Sequence, residues 1–332
     1  MNHDIVLEVL DATEKRRNER REFIRLAGGA SVAAAGLALA GCSSDNDGPG
    51  SVTTPAPTPT PTPPTTGNAD FDVLNFALNL EYLEAQFYSY AANGVSIPIA
   101  LLGGTGTPGA PTGGRQVAFT DPAVGRYARE IASDEQQHVA FLRTVLGNSA
   151  VAQPALDISA DPNGAFSNAA RAAGLVGPGV AFDPYANDQN FLLAAFIFED
   201  VGVSAYKGAS PLLTNKTYLE AAAGILAAEA YHAGLIRTVL YRKGIATPSA
   251  IDATEAISNA RDGLDGASDI DQGIRPIGSA SNIVPTDSSG IAFSRSAGQV
   301  LNIAYLNKAA VDRGGFFPVG VNGNIRLSAA SG

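Results

Sequence analysis

The 332-residue chain is 45% hydrophobic and 16% charged, and its formal net charge is −10. This composition provides enough apolar side chains for a sizeable core, and its acidic balance disfavours binding to nucleic acid. The single cysteine, Cys42, excludes a disulfide within the chain and the cysteine pair of a rubredoxin-type iron site.

Residues 1–42 have the pattern of an export signal. The run Arg-Arg-Glu-Phe-Ile-Arg, which begins with Arg20 and Arg21, resembles a bacterial twin-arginine signal. A small, apolar stretch follows it and is too short to span a bilayer comfortably. The sequence Leu-Ala-Gly-Cys, which ends at Cys42, resembles a lipobox. We therefore expect export, acylation of Cys42, and a lipid-anchored protein in the periplasm or cell envelope.

Residues 43–69 are rich in Pro and Thr and contain few large apolar side chains. Such a segment cannot bury enough apolar surface to fold, so it is predicted to be a disordered tether. The folded part is predicted to begin near Asp70.

Four segments show the apolar periodicity of helices, and no strand-rich region competes with them. They cover approximately 70–92, 121–146, 189–207 and 216–243. The sequence therefore predicts an all-α four-helix bundle over residues 70–244, with long loops between helices.

Local signals mark the ends of these helices. Asp70 is a plausible N-cap for the first helix, and Asp121 followed by Pro122 suits the start of the second. The fourth is expected to end with Arg237, Arg242 and Lys243, with Gly244 in the left-handed stop position.

The connections and the tail carry weaker signals. Gly-rich 93–114 and mixed 147–188 are long loops, which are usually functional or packed as excursions. The glycine pairs in 93–114 lack the lysine of a phosphate-binding loop and are expected to be plain surface loop. Residues 245–332 contain short helical patterns near 250–264 and 296–308. They are predicted to form an appendage packed on the bundle.

Both histidines beyond the predicted signal lie in the same motif. Glu135 precedes His138 by three residues, and Glu229 precedes His232 by three. On a helix this spacing places both side chains on one side, where they can share a metal ion. One such pair alone is more typical of a solvated charged face.

The other two helices each carry a glutamate followed seven residues later by a tyrosine. These are Glu81 with Tyr88, and Glu199 with Tyr206. The tyrosines are predicted either to orient ligands through their hydroxyl groups or to be ordinary aromatic core. Glu84 lies on the flank of the same face, as a spare ligand or a support for the ligands.

The predicted ligands occupy apolar helix faces. Several carboxylates buried together repel one another unless cations neutralise them. Di-iron and di-manganese bundles share a ligand pattern: two helices supply one glutamate each, and the other two supply one Glu-x-x-His pair each. We therefore predict two iron or manganese ions, bound by Glu81, Glu135, His138, Glu199, Glu229 and His232. Glu130, Asp134 and Asp200 are expected to point away into solvent.

Three segments resemble a known family. Residues 78–88, 182–187 and 314–320 are similar to the desiccation-related ferritin-like proteins of plants and bacteria, and the resemblance spans approximately 70–326. It implies the ferritin-like fold and a connection with stress. Members of the family need not keep a complete metal site, whereas this sequence has all six ligands.

Two functions follow as hypotheses. The first is an exported di-metal oxidoreductase that reacts with peroxide or dioxygen, whether ferroxidase, peroxidase or catalase-like. The second is a non-enzymatic stress protein with an inherited metal site. An iron-storage cage and a hydrolase fit the sequence less well, and the sequence leaves homo-oligomer formation open.

Overall fold

Helices dominate the structure. A computed structural model describes residues 68–331; the predicted export signal, with Arg20, Arg21 and Cys42, lies outside the described residues, as does nearly all of the predicted tether. The helices are α1 (Ala69–Asn93), α2 (Pro122–Leu146), α3 (Ala165–Ala172), α4 (Asp188–Ala209), α5 (Lys216–Ala246), α6 (Ser249–Asp265) and α7 (Ala297–Ala304). Within residues 68–331, no helix combines the length and apolar character needed to cross a bilayer.

Short elements occupy the connections. Strands β1 (Pro111–Thr112) and β2 (Leu156–Asp157) pair in parallel and so join the two long loops. Single 3-10 turns lie at Ile99–Leu101, Gly147–Ser149 and Ser210–Leu212.

The bundle consists of two helix pairs. Helix α1 packs along α2, and α4 packs along α5. Their buried faces form one hydrophobic core, to which α3, α6 and α7 also contribute. Phe87 on α1 and Phe198 on α4 meet edge to face with ring centroids 5.5 Å apart, and Phe316 from the tail packs on Phe198 at 4.9 Å. The predicted all-α four-helix bundle is confirmed.

Two predicted helix ends are wrong. Asn68, not Asp70, caps α1, because its side chain accepts the amide of Asp70, whose own carboxylate is buried against residues before α5. Helix α5 continues through Gly244 to Ala246. A Cβ on Gly244 would lie 2.4 Å from the side chain of Ile251, so this glycine permits close packing of α6.

The long loops pack on each other. Gly104 has φ +152°, and a Cβ there would lie 2.4 Å from the carbonyl oxygen of Ala150. Gly113 has φ +77° and lies equally close to Ser159. These glycines allow one loop backbone to approach the other, so the expectation that the glycine pairs are plain surface loop is wrong.

A buried ion-pair network joins the tail to the bundle. Asp200 on α4 accepts hydrogen bonds from Arg237 at 2.7 Å and Arg261 at 3.1 Å. Asp271 links Arg261 to Arg295 through contacts of 2.6 Å and 2.7 Å. The expectation that Asp200 is solvated is therefore wrong. Arg237 on α5 and Arg261 in the tail are the partners that make its burial tolerable.

Candidate metal centre

The six predicted ligands meet between the four long helices. Helices α1 and α4 supply Glu81 and Glu199, and α2 and α5 supply the Glu-x-x-His pairs. The two imidazole rings are tilted and their centroids lie 6.2 Å apart. All four glutamates are buried, because the apolar residues that flank each of them in the helical repeat pack into the core.

The side chains form two overlapping groups. In each group the potential ligand atoms lie within 4.8 Å of one another. The first group comprises Glu81, Glu135, His138 and Glu229, and the second comprises Glu135, Glu199 and His232. Glu135 belongs to both.

Contacts of the histidines explain this sharing. His138 Nδ1 lies 3.2 Å from Glu81 Oε2, 3.5 Å from Glu135 Oε2 and 3.5 Å from Glu229 Oε1. His232 Nδ1 lies 3.0 Å from Glu135 Oε1 and 3.7 Å from Glu199 Oε2. The two oxygens of Glu135 thus face different histidines, which is the arrangement expected of a carboxylate between two cations.

Six polar atoms at the centre lack hydrogen-bond partners among the described residues. This is true of both carboxylate oxygens of Glu135 and Glu229, of Glu199 Oε2 and of His232 Nδ1. Such atoms cost free energy when they are buried without a partner. Carboxylate oxygens and imidazole nitrogens are also the donors that iron and manganese accept. The residues therefore fit a di-metal centre.

The electrostatics of the site reflect its crowded charge. Burial is the largest cause that raises the pKa of Glu81, to about 8, and neighbouring carboxylates add to it. Burial also raises the pKa of Glu199 and Glu229. Burial opposes charge on His138 and His232, but the surrounding carboxylates raise the pKa of both rings. Without cations, protons on the histidines offset part of the negative charge.

The two tyrosines contact the ligands crosswise. The hydroxyl of Tyr88 on α1 donates a hydrogen bond to Glu199 Oε1 on α4, and that of Tyr206 on α4 donates to Glu81 Oε1 on α1. Both phenols are buried, and burial raises the pKa of each. The tyrosines thus hold the two glutamates in place, which is what the interpretation of these tyrosines as ligand-orienting groups requires.

Comparison with known proteins agrees with this geometry. Residues 69–242 match the family model described as a ferritin-like domain. The chain belongs to the ferritin-like family. It is 30% identical over 273 residues to the ferritin-like catalase Nec2 of Nesocodon mauritianus, covering 77% of this chain and 85% of that protein. It is 31% identical over 249 residues to the desiccation-related protein PCC13-62 of Craterostigma plantagineum, covering 69% and 75% respectively.

No experimentally solved structure matches the chain with significance. The two named relatives support the predicted resemblance to desiccation-related ferritin-like proteins.

One residue near the centre of this ferritin-like protein was assigned wrongly from sequence. Asp134 Oδ2 lies 3.4 Å from His232 Nε2, the ring nitrogen opposite the one that faces the ligands. The contact favours a proton on Nε2 and leaves Nδ1 free to bind a cation. The sequence feature that could have indicated this role of Asp134 is its position directly before Glu135 on α2. Glu130, one turn earlier, is exposed as expected.

Glu84 lies in the same buried layer but outside both ligand groups. Its Oε1 lies beside Gly202 on α4, next to Glu229 Oε2. Burial, followed by the charges of Glu229 and Glu135, raises its pKa.

Proposed function

We propose that this ferritin-like protein is a di-iron or di-manganese oxidoreductase that consumes peroxide in a catalase-like reaction. The observation that carries the proposal is the set of buried carboxylate and imidazole atoms that face one another without hydrogen-bond partners. Support comes from the related protein named as a ferritin-like catalase. In such a reaction peroxide is both oxidant and reductant, so no separate electron donor is required.

Each residue has a role consistent with its contacts. Glu81 and His138 would hold one ion, and Glu199 and His232 the other. Glu135 and Glu229 would lie between them, since Glu135 directs one oxygen toward each histidine. Two such ions supply Lewis acidity and a two-electron change at a protein-held pair. The carboxylates balance the charge, and the tyrosines fix Glu81 and Glu199 in place.

The burial of the centre favours a small substrate. The side chains of Glu81 and Glu229 are fully buried, whereas His138 and His232 retain 12% and 7% exposure. Access is therefore best on the histidine side, between α2 and α5. Hydrogen peroxide and dioxygen are small enough for such an opening, and a large organic substrate is not.

The direct test is oxygen evolution from hydrogen peroxide by protein loaded with iron or manganese. The double variant Glu135→Gln, Glu229→Gln should bind neither ion and release no oxygen, because both shared carboxylates are gone. Glu130→Gln with Glu220→Gln is the matched control, since it changes one exposed glutamate on each of the same two helices. Wild-type protein that binds metal but releases no oxygen would overturn the catalase-like proposal.

A non-enzymatic desiccation-related function is the second candidate, and the name of the second relative favours it. In that case the bundle would be a scaffold. Elemental analysis separates the two, because a scaffold with an inherited site would contain no stoichiometric transition metal after purification from its native compartment.

We also propose that the protein is exported and anchored by a lipid on Cys42. The support is the order of the two motifs in the first 42 residues. Mass spectrometry of the N-terminal peptide should show an acylated Cys42, and substitution of Arg20 and Arg21 by lysine should retain the protein in the cytoplasm. An unmodified peptide that runs through residue 42 would contradict this proposal.

A further inference from the structure

A small apolar cavity adjoins the metal centre on the side of α1 and α4. Its volume is about 30 Å³, and α1, α4, α7 and the tail supply the residues that line it. The helices that carry the histidines, α2 and α5, supply none of them. Ten of the eleven lining residues have an apolar side chain or none, and all eleven are buried. The cavity is thus an apolar space inside the core, away from the histidine side.

One end of this cavity reaches the predicted ligands. Glu84 is the only polar side chain in its wall, and Gly202 on α4 lies beside Glu84. A Cβ on Gly202 would lie 3.4 Å from Glu84 Oε1 and 2.5 Å from Glu229 Oε2. Because residue 202 has no side chain, the cavity extends to the edge of the metal centre.

A second cavity, of about 20 Å³, lies farther along the same side of the bundle. Leu80 lines both cavities, so its side chain stands between them. The second cavity also touches Tyr206, whose hydroxyl bonds a predicted ligand, and it reaches Ala209 and Ser210 at the end of α4. Both of these residues are half-buried. The two cavities therefore lead from the centre toward the protein surface.

The size and polarity of the first cavity limit what it can bind. A cavity of about 10–15 Å³ can hold one water molecule, whereas an apolar cavity of about 150 Å³ stays dry and binds benzene or xenon. A volume of about 30 Å³ thus suits a molecule of about two heavy atoms and excludes an organic ring. Water and hydrogen peroxide would lose hydrogen bonds among apolar side chains, which costs free energy. An apolar diatomic gas makes no hydrogen bonds in water and gains packing contacts in the cavity.

We infer that this cavity is a binding site for dioxygen. Its role, which rests on the proposed catalase-like function, is to take up the dioxygen that the reaction forms. In that reaction one peroxide molecule loses two electrons and two protons and becomes dioxygen, and a second peroxide accepts them and becomes two water molecules. Peroxide and water exchange on the histidine side, where His138, His232 and Asp134 offer polar atoms. Dioxygen leaves between α1 and α4.

Dioxygen and xenon test the binding site in the metal-free protein, where no reaction occurs. Dissolved dioxygen is paramagnetic and speeds the relaxation of nearby methyl groups in NMR spectra. The methyl groups of Leu83, which lines the cavity, should respond more strongly than those of Ile257 on α6, although both residues are 4% exposed. Xenon under pressure should occupy the cavity in crystals. Ordered water in place of xenon, or equal relaxation at Leu83 and Ile257, would overturn the inference.

Two variants on α7 change the volume of the cavity in opposite directions. Ala304→Val fills the cavity and should abolish xenon binding and the effect of dioxygen on Leu83, whereas Ile303→Val enlarges it and should increase both. Ile257→Val is the matched control and should change neither. Thermal melting checks the fold of each variant, and Ile303→Val decides the matter if Ala304→Val does not fold. A folded cavity variant that responds as wild type does would contradict the assignment of the gas to this cavity.

Activity separates the role of the cavity from the proposed function. With iron or manganese bound, Ala304→Val should lower kcat for oxygen release and leave KM for peroxide unchanged, because α7 carries no predicted ligand and the histidine side is intact. An unchanged kcat in a variant that has lost the gas site would rule out a role in product release. Wild-type protein that binds xenon and dioxygen but evolves no oxygen from peroxide would refute the catalase-like function and leave the binding site in place.

Discussion

The hydroxyl of Tyr88 donates a hydrogen bond to Glu199, a residue from the opposite half of the bundle. The reciprocal bond joins Tyr206 to Glu81. Each half thus supplies a predicted ligand together with the tyrosine that holds the predicted ligand of the other half. Neither half contains a complete site, so the geometry of the centre depends on correct docking of the two helix pairs.

Tyr206→Phe should weaken metal binding without unfolding the bundle. The substitution removes the donor to Glu81 Oε1 and leaves only the 3.2 Å contact between Glu81 Oε2 and His138 to orient this ligand. Loss of a partner that orients a ligand typically costs 10–100-fold in metal affinity. We expect a loss of about tenfold, measured by competition with a chelator of known affinity.

The control is Tyr231→Phe, because Tyr231 precedes His232 directly but is 80% exposed. It should bind metal as wild type does. Equal affinity of the Tyr206→Phe and wild-type proteins would show that the crosswise bonds are not needed to position the ligands.

The gathering of the six predicted ligands in the core could be predicted from sequence because it follows from helical periodicity. Three-residue spacing fixes the side on which Glu135 and His138 project, and the apolar neighbours fix that side as the core. Pairing of Tyr88 with Glu199 could not be predicted in this way. It depends on how two helices dock against each other, since Tyr88 and Glu199 are 111 residues apart in sequence.

Metal removal should destabilise the protein. The metal-free centre holds buried carboxyl groups at short range, and ligand binding to the native state stabilises it by about 2.7 kcal/mol when the free concentration is 100 times Kd. A chelator should therefore lower the Tm of protein loaded with manganese. The Glu135→Gln, Glu229→Gln variant should unfold at the same temperature with and without the chelator; a chelator effect of wild-type size in that variant would place the bound metal elsewhere.

Asp200→Ala should destabilise the protein more than any exposed ion-pair substitution. The change leaves two buried guanidinium groups, Arg237 and Arg261, without the carboxylate that both contact. Breaking a buried pair by removing one partner costs about 3–5 kcal/mol. Denaturant unfolding with a constant m-value measures this loss.

Asp252→Ala is the matched control, because Asp252 pairs with Arg275 at the surface. Its cost should stay below about 1 kcal/mol. Similar losses for Asp200→Ala and Asp252→Ala would mean that the buried network contributes little to anchoring the tail.

The burial of Asp200 could not be predicted from the sequence. A helical projection places Asp200 on the side of α4 opposite the predicted ligands, and in an isolated bundle that side of α4 would be solvated. The tail covers it instead, since Arg237 also donates to the carbonyl oxygens of Gln272, Gly273, Asn282 and Ile283. Gly244 could not be interpreted from the sequence for the same reason. A glycine is needed there because Ile251 of the next helix packs against it, and not because the helix stops at this residue.

Hydrogen bonds also join the start of a helix in one half of the bundle to the start of a helix in the other half. Asp70, near the start of α1, accepts hydrogen bonds from the amides of Thr214 at 2.9 Å and Asn215 at 2.8 Å, just before α5. Asp188, at the start of α4, accepts those of Thr120 at 3.2 Å and Asp121 at 3.1 Å, just before α2. A buried carboxylate thus fixes the beginning of each Glu-x-x-His helix.

Asp70→Asn should therefore lower stability in a pH-dependent manner. The amide of Thr214 is the main cause that lowers the pKa of Asp70, against the opposing effect of burial, and the amide of Asn215 lowers it further. Because the folded-state pKa is the lower one, the stabilisation is complete above the unfolded-state value of about 3.9 and is lost as pH falls through the folded-state value. At pH 7 the substitution should lower the free energy of unfolding by about 1–2 kcal/mol.

The control is Asp72→Asn, because Asp72 is a partly exposed neighbour that accepts a hydrogen bond from Asn324. This substitution should change the free energy of unfolding by less than about 0.5 kcal/mol. Urea unfolding of wild type and both variants between pH 7 and pH 3 measures the difference, which should narrow toward the acid end for Asp70→Asn alone. A loss that stays constant over this range would show that the carboxylate acts through its shape, and not through the charge that the two amides stabilise.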